Sequence, residues 1–191
     1  MKQVKAVFLD RDGVINRDSP DYIKSWSEFE FLPGSLEAMR LLTGRGYRLI
    51  LITNQSIINR GMVPLEVVTD MHQRLRRAVA RDGGRIEDIF FCPHRPDENC
   101  ACRKPEPGLI RQAVQRYDID PAGTIMIGDS AKDILCGRNA GCGATMLVHT
   151  GNGHTAEKLL ADQQIAPDLV VADLLHGARA ILSRGFGPAG N

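Results

Sequence analysis

Two carboxylates stand two residues apart directly after an apolar run near the start of the chain. The run AVFL at residues 6–9 is followed by DRDG at residues 10–13. A strand that ends here would present both carboxylates at the edge of a sheet. One of the two carboxylates could then attack a substrate as a nucleophile, and the other could protonate the leaving oxygen. A plain Asp-Gly turn has the same pattern, so this motif alone leaves a structural role open.

A second acidic motif, GDSAKD at residues 128–133, also follows an apolar run and opens a predicted helix. It adds Asp129 and Asp133 to the carboxylates expected at the sheet edge. Such carboxylates repel one another unless a cation joins them, and oxygen ligands beside phosphate chemistry favour Mg²⁺. Capping of the helix by Asp129 is the alternative interpretation of this motif.

Two further segments offer groups that suit a phosphoryl oxygen. TNQS at residues 53–56 supplies hydroxyl, amide and backbone donors, and RKP at residues 103–105 supplies two cations that could offset its negative charge. Taken singly, each segment could equally be an ordinary loop or a surface pair of cations.

A cysteine-rich loop spans residues 92–102 and leads directly into Arg103 and Lys104. Its three thiols and one imidazole come from Cys92, His94, Cys100 and Cys102. Four such ligands predict a closed, tetrahedral structural Zn²⁺ site, with no open position for catalysis. A reduced cluster without metal is the alternative. A bound zinc ion would order this loop and fix the two cations that follow it.

The elements that must position these residues alternate along the chain. Apolar runs predict strands at residues 5–9, 47–52, 86–91, 124–127, 144–148 and 169–171, and amphipathic stretches predict helices beginning near residues 35, 64, 108, 133, 155 and 174. This alternation predicts a three-layer, Rossmann-like α/β fold with a parallel sheet and helices on both faces. Such folds bind ligands beyond the carboxyl ends of their strands.

Length and charge limit the domain organisation and the partners. The chain has 191 residues and a formal net charge of +1. This length predicts one domain over residues 1–185, and the Gly-rich segment at residues 186–191 predicts a mobile tail. We expect a cytoplasmic monomer that acts on a small molecule rather than on nucleic acid or membrane, since neither a strong basic field nor a membrane-length apolar run is present.

The four motifs occur in an order that resembles the haloacid dehalogenase superfamily of phosphotransferases. The segments LDRDGV, LITNQS, RKP and IGDSAKD follow one another, and the resemblance covers nearly the whole chain. It implies that Asp10 is the nucleophile and that Asp12 is the general acid and then the base. It also implies that Thr53 and Lys104 bind the transferred phosphoryl group.

The same resemblance implies a catalytic magnesium site. Its ligands would be Asp10, the backbone carbonyl of Asp12, and Asp129, with Asp133 in support. Many members of the superfamily cover the site with a cap domain, but the gaps between these motifs leave no room for one. Substrate selection is therefore expected to depend on loops.

The zinc loop narrows the resemblance to heptose bisphosphate phosphatases and histidinol-phosphate phosphatases. WSEFEFLPG at residues 26–34 and Asn59-Arg60-Gly61 resemble the heptose group, whereas the cysteine loop is similar in both. Departures from the heptose pattern occur at Ile57, where Gly is frequent, and at Ser130, where some members have Lys. The choice between sugar anomers stays open.

The function predicted by this resemblance is Mg²⁺-dependent removal of the 7-phosphate from D-glycero-D-manno-heptose 1,7-bisphosphate, in the synthesis of surface heptose precursors. The expected substrate-binding residues are Asp18, Tyr22, Asn54, Gln55, Ser56, Arg60 and Arg103. Hydrolysis of histidinol phosphate or of another small metabolite is the alternative. A zinc-stabilised binding protein without activity is the non-enzymatic alternative, although the acidic and cationic motif residues are all present.

Overall fold

A six-stranded parallel sheet forms the centre of the computed structural model, which describes residues 5–184. Its strands are β1 (Ala6–Leu9), β2 (Arg48–Asn54), β3 (Ile86–Cys92), β4 (Thr124–Gly128), β5 (Ala144–Val148) and β6 (Leu169–Val171). The strand order is β3-β2-β1-β4-β5-β6. The predicted three-layer fold is confirmed, and the predicted tail at residues 186–191 lies outside the described residues.

Within the described residues, five α-helices connect successive strands and a sixth follows β6. They are α1 (Ser35–Gly44), α2 (Leu65–Arg81), α3 (Gly108–Tyr117), α4 (Ala131–Ala140), α5 (Gly153–Asp162) and α6 (Leu174–Arg184). Short 3₁₀ turns occupy Trp26–Glu28, Pro96–Glu98 and Pro121–Gly123. No helix between residues 5 and 184 has both the length and the apolar character needed to cross a membrane. Nor does any additional domain cover the carboxyl edge of the sheet within these residues.

The start of α4 differs from the sequence-based expectation. The helix begins at Ala131 rather than at Asp133, and its N-cap is Ser130 rather than Asp129. Ser130 and Asp133 form a reciprocal capping box, with the Ser130 backbone N donating to Asp133 Oδ2 over 3.0 Å. Capping by Asp129 is therefore wrong, and this carboxylate is left for other partners.

Side-chain alternation along β1 explains why helices pack on both faces of the sheet. Val7 and Leu9 join a buried apolar cluster with side chains of α1, α2 and α6. Phe8 points to the opposite face and joins a cluster with α3 and Cys136 of α4. A third cluster seats α5 against α4 and β5. A strand buried on both faces needs apolar residues at every position, as β1 has.

The position of β1 determines where the polar motifs meet. β1 lies between β2 and β4, and Leu9 pairs in register with Leu51 on one side and Ile127 on the other. All three strands run in the same direction. The residues that follow Leu9, Leu51 and Ile127 therefore emerge together at the carboxyl edge of the sheet.

Helix packing against this sheet provides a direct test of the fold. A methyl group added at Gly137 in α4 would lie 2.7 Å from Met126 Cβ and 3.0 Å from Thr145 Cγ2. Gly137→Ala should thus lower the free energy of unfolding by about 1–3 kcal/mol through overpacking. Gly44→Ala is the control, since no atom lies within 4 Å of a methyl group placed at this last residue of α1.

The control substitution should raise the free energy of unfolding by up to about 1 kcal/mol, because alanine restricts the unfolded chain. Urea unfolding of both variants and the parent measures the two changes. A similar change in both variants would contradict the close packing of α4 on the sheet.

Candidate active site

A buried lysine joins the acidic motifs at the carboxyl edge of the sheet. Lys104 Nζ lies 2.8 Å from Asp10 Oδ1 and 2.6 Å from Asp133 Oδ1, and it donates to the Ile52 carbonyl over 2.8 Å. Its side chain is 3% exposed. Burial would lower the pKa of Lys104, but the charges of Asp10 and Asp133 outweigh burial and raise it. The amine is therefore charged at neutral pH.

Asn54 at the end of β2 holds the backbone of Lys104. Its Oδ1 accepts from the Lys104 backbone N over 3.1 Å, and its Nδ2 donates to the Lys104 carbonyl over 3.3 Å. Both ends of the amide are thus bonded to the backbone of one residue. The predicted role of Asn54 was contact with substrate. These bonds instead favour a role in positioning Lys104.

Three carboxylates of the two acidic motifs form a cluster around this lysine. Asp10, Asp129 and Asp133 each offer one oxygen, and these oxygens lie within 4.8 Å of one another. Burial, only partly offset by Lys104, raises the pKa of Asp10 well above its usual value. Burial and the charge of Asp133 raise the pKa of Asp129 to about 7. One lysine does not balance three carboxylates, so the cluster fits a divalent cation with oxygen ligands.

The partners of these carboxylates leave oxygens for a ligand. Within the described chain, Asp10 accepts through Oδ1, from the Arg11 backbone N over 2.7 Å and from Lys104. Asp129 accepts through Oδ2, from the backbone N of Asn152 over 2.8 Å and from its Nδ2 over 3.3 Å. Asp10 Oδ2 and Asp129 Oδ1 therefore have no hydrogen-bond partner among residues 5–184. In contrast, Lys104 and Ser130 engage both oxygens of Asp133.

The glycine of the first motif is required by this arrangement. Gly13 has a φ of +79°, a region that residues with a side chain rarely adopt. A methyl group at Gly13 would also overlap the carboxylate of Asp129. The DRDG segment is therefore an Asp-Gly turn, and this turn also brings the first motif into contact with the second.

The second carboxylate of the first motif belongs to a separate network. Asp12 accepts two bonds from Arg11 Nη2 (2.8 and 2.9 Å), one from Asn16 Nδ2 (2.8 Å) and one from Gln55 Nε2 (3.1 Å). Burial would raise the pKa of Asp12. The charge of Arg11 and the bonds from Asn16, Arg11 and Gln55 outweigh burial, so this pKa is lowered. Asp12 is thus ionised, whereas the raised pKa of Asp10 favours its protonated form.

Arg11 and His72 are among the residues of the site that the sequence motifs did not predict. Arg11 is 1% exposed, and its Nη1 lies 3.3 Å from His72 Nε2. Burial and the charge of Arg11 lower the pKa of His72 to about 3. The ring is therefore neutral and accepts from the guanidinium. The signal in the sequence was the place of His72 on the apolar face of α2, because a buried imidazole requires a polar partner.

Thr53, near the end of β2, and Gln55, just after it, are both buried. Thr53 Oγ1 accepts from Gln55 Nε2 over 3.0 Å, which leaves the hydroxyl proton of Thr53 available to another acceptor. Gln55 also contacts Asp12, so this amide connects the β2 loop to the first motif. The structure thus brings Thr53 and Gln55 to the motif that the sequence predicted them to serve.

The other predicted substrate-binding residues lie around the edge of the site. Arg60 is exposed; its Nε donates to Ser56 Oγ over 3.3 Å, and its Cζ lies 5.7 Å from the centre of the Tyr22 ring. Asp18 Oδ2 accepts from Asn152 Nδ2 over 2.9 Å. Ser56, Arg60 and Tyr22 therefore form one group, and Asp18 belongs with the Asn152 loop that contacts Asp129. Their roles in binding stay predictions.

Two open cavities include residues that contact the carboxylate cluster, Lys104 in one and Asn152 in the other. One, of about 480 Å³, includes Lys104 and the cations Arg95, Arg103 and Lys132. The other, of about 550 Å³, is lined by Arg17, Asp18, Ser19, Pro20, Leu32, Thr150, Gly151 and Asn152. The first is strongly basic, although Arg103 also donates to the His94 carbonyl over 3.0 Å. The basic cavity therefore suits an anionic group near Lys104.

The four predicted zinc ligands meet at one point. The distances are 3.2 Å for Cys92–Cys102, 3.5 Å for Cys100–Cys102 and 3.6 Å for Cys92–Cys100, measured between sulfur atoms. His94 Nδ1 lies 3.4 Å from Cys92 Sγ and 3.3 Å from Cys102 Sγ. Sulfur ligands of a tetrahedral zinc ion lie about 3.7 Å apart, so the residues fit this metal. The three cysteines of the cluster are free and form no disulfide.

Zinc should be measurable in the purified protein. Elemental analysis should find about one zinc ion per chain, because four protein ligands bind it in a closed site. Cys100→Ala should lose the zinc and lower the melting temperature, since structural zinc contributes on the order of 10 kcal/mol in small peptides. Cys142→Ala is the control, because Cys142 lies outside the cluster.

The control should keep its zinc. Protein prepared without chelator that contains no zinc would contradict the assignment, as would equal loss of zinc from the two variants.

Comparison with known proteins identifies relatives of this chain. A HAD-hydrolase-like family model matches residues 101–177. The D-glycero-beta-D-manno-heptose-1,7-bisphosphate 7-phosphatase of Bordetella bronchiseptica is 47% identical over 78% of this chain and 83% of its own length. The Pseudomonas aeruginosa protein of the same name is 46% identical over 92% of this chain and 97% of its own.

A solved structure shares the fold at high similarity. The crystal structure of D,D-heptose 1,7-bisphosphate phosphatase from B. bronchiseptica, complexed with magnesium and phosphate, matches with a TM-score of 0.88 and 42% identity. The match covers 95% of this chain and 99% of that one.

Proposed function

Because the chain belongs to the D-glycero-beta-D-manno-heptose-1,7-bisphosphate 7-phosphatase family of HAD hydrolases, we propose that it hydrolyses the 7-phosphate of that sugar bisphosphate, as a step in the supply of surface heptose. The resemblance inferred from the motifs is thereby confirmed at the level of the family. The observation that carries the mechanism is the Asp10 carboxylate, held through one oxygen by Lys104 and left without a protein partner at the other.

Asp10 is the nucleophile in this proposal. Its Oδ2 forms a bond to the phosphorus of the 7-phosphate while the bond from phosphorus to the sugar oxygen breaks. Lys104, held against Asp10, offsets the negative charge of the transferred group. Thr53 donates its free hydroxyl proton to a phosphoryl oxygen. The product of this step is an aspartyl-phosphate on Asp10 and a sugar that has lost one phosphate.

Asp12 transfers the protons of both steps. It gives a proton to the leaving sugar oxygen, and it then takes one from the water that attacks the aspartyl-phosphate and releases inorganic phosphate. The free site holds Asp12 ionised, as the second step requires. A phosphate dianion brought beside Asp12 favours its protonated form, as the first step requires. Arg11, Asn16 and Gln55 keep the carboxylate in place between the steps.

Magnesium is the proposed catalytic cation, as in the related crystal structure that contains magnesium and phosphate. Asp10, the Asp12 carbonyl and Asp129 would hold it, because Asp10 and Asp129 retain unpartnered oxygens. Asp133 would act in support, since Lys104 and Ser130 occupy its oxygens. When bound, the ion supplies positive charge to the phosphoryl oxygens and allows neighbouring carboxylates to remain ionised.

The basic cavity beside Lys104 is the proposed site for the second phosphate of the substrate. Arg95, Arg103 and Lys132 line it, and a dianion several ångströms from the reacting phosphate requires such counter-charge. Arg60, over the Tyr22 ring, is proposed to contact the sugar. These loop residues replace the cap domain that selects substrates in other superfamily members.

We also propose that the protein acts as a monomer in the cytoplasm. Thiols held as zinc ligands suit a reducing compartment.

Substitution of the proposed nucleophile tests the mechanism. Asp10→Asn should abolish turnover while the fold is retained, because an amide does not attack phosphorus. After acid quenching, the phosphate label should be found on Asp10 of the parent protein. Asp12→Asn should slow turnover by about 10²–10⁴-fold. Asp162→Asn, an exposed carboxylate at the end of α5, is the control and should leave turnover unchanged.

Retention of about a tenth of the parent activity by Asp10→Asn would contradict the mechanism, because that loss is only about 1.4 kcal/mol of barrier.

A substrate panel tests the assignment of the sugar. The parent protein should prefer the β anomer of heptose 1,7-bisphosphate, named in its relatives, over the α anomer and over histidinol phosphate. Lys132→Ala and Arg60→Ala should each lower kcat/KM for the bisphosphate. The loss should correspond to about 1.5–3 kcal/mol of transition-state stabilisation, the contribution of a charged hydrogen bond. Both should barely affect a small aryl phosphate, which has no distal group.

Lys158→Ala, an exposed cation of α5, is the control for net charge. Equal losses on both substrates would show that a cation serves the reacting phosphate instead. A preference for histidinol phosphate would overturn the sugar while leaving the phosphatase mechanism in place.

A further inference from the structure

Three potential metal ligands lie together outside the active site and the zinc loop. His149 follows β5, and His154 and Glu157 belong to the first turns of α5. His149 Nε2 lies 2.9 Å from Glu157 Oε2, and the two imidazole rings stack with their centres 4.1 Å apart. One ligand atom from each residue lies within 4.8 Å of the other two. The proposed function gives none of the three a role.

We propose that His149, His154 and Glu157 form a second metal site, specific for a divalent cation that prefers imidazole, such as Zn²⁺. Two ring nitrogens and one carboxylate oxygen are a ligand set for this class of ion, and a fourth position remains for water. Mg²⁺ is a poor match because it prefers oxygen ligands throughout. The site is thus chemically distinct from the carboxylate cluster.

Rigid elements hold the three side chains in place. His154 and Glu157 are three residues apart in α5 and therefore project from the same side of the helix. The backbone N of His149 donates to the Val171 carbonyl of β6 over 2.9 Å, so the sheet fixes the third ligand. The geometry needs no folding step before a cation binds.

A simple ion pair is the competing explanation, and the stacked rings count against it. An ion pair needs only His149 and Glu157, whereas His154 adds a second imidazole whose ligand atom lies within 4.8 Å of the other two. His176 and Asp173, 2.8 Å apart at the start of α6, show an ordinary pair without a second imidazole.

The site is mechanically connected to the catalytic carboxylates. Between His149 and His154, the Thr150 hydroxyl donates to the Gly13 carbonyl over 2.6 Å and the Asn152 backbone N donates to Asp129. A cation that joins His149 to α5 fixes both ends of this short loop. Binding to the native state alone also stabilises the fold by mass action.

Calorimetric titration with Zn²⁺ tests the proposal. The protein is first loaded with zinc at the cysteine cluster and kept in excess Mg²⁺ to occupy the carboxylate cluster. The parent should bind one further Zn²⁺ per chain, with a rise in melting temperature and slower hydrogen exchange at residues 149–154. His154→Ala and Glu157→Gln should each weaken this binding at least about tenfold, since even outer-shell changes cost that much.

His176→Ala is the matched control and should leave the affinity unchanged, because it removes an exposed imidazole beside a carboxylate elsewhere. Three results would overturn the proposal: no further Zn²⁺ bound, binding that is unaltered by His154→Ala and Glu157→Gln, or equal weakening by His176→Ala. None of these readouts depends on catalytic activity, so the outcome is independent of the substrate.

Discussion

The charge balance around Lys104 is the constraint on which the rest of the site depends. A buried ammonium ion is stable here because Asp10 and Asp133 lie within 2.8 Å of it. At an effective dielectric constant near 20, two unit charges 4 Å apart interact by about 4 kcal/mol. Removal of one partner would leave an uncompensated buried charge. The third carboxylate, Asp129, brings the cluster to an excess of negative charge, so the protein is incomplete without a cation at this point.

The zinc loop and Asn54 solve the problem of holding that lysine in place. Lys104 lies in the segment between β3 and α3, in which one short 3₁₀ turn is the only regular element. A zinc ion on Cys92, His94, Cys100 and Cys102 would tie this segment together, and the Asn54 amide joins the backbone of Lys104 to the end of β2. The zinc loop and the Asn54 amide thus hold one side chain in a fixed position relative to the sheet. This suits an active site that has no cap domain.

Separate electrostatic surroundings give the two carboxylates of the DRDG turn different properties. Burial raises the pKa of Asp10, whereas Arg11, Asn16 and Gln55 lower that of Asp12. The difference arises because Arg11, buried against His72, contributes its charge to Asp12 while Lys104 is shared between Asp10 and Asp133. A nucleophile that needs a cation and a proton carrier that does not are therefore adjacent in the chain.

The fold and the chemistry of the principal motifs could be predicted from the sequence, because both depend on local patterns. Continuous apolar runs predicted the strands, with β5 and β6 at their observed bounds, and the spacing of Cys92, His94, Cys100 and Cys102 predicted a single cluster. The contacts between distant segments became apparent only in the folded chain. Arg11 meets His72 across 61 residues, and Asn54 meets Lys104 across 50. Likewise, the grouping of His149 with His154 and Glu157 depends on how α5 turns back on β5. Such contacts arise from crossover geometry and from the need of buried polar groups for partners, neither of which a local pattern of residues records.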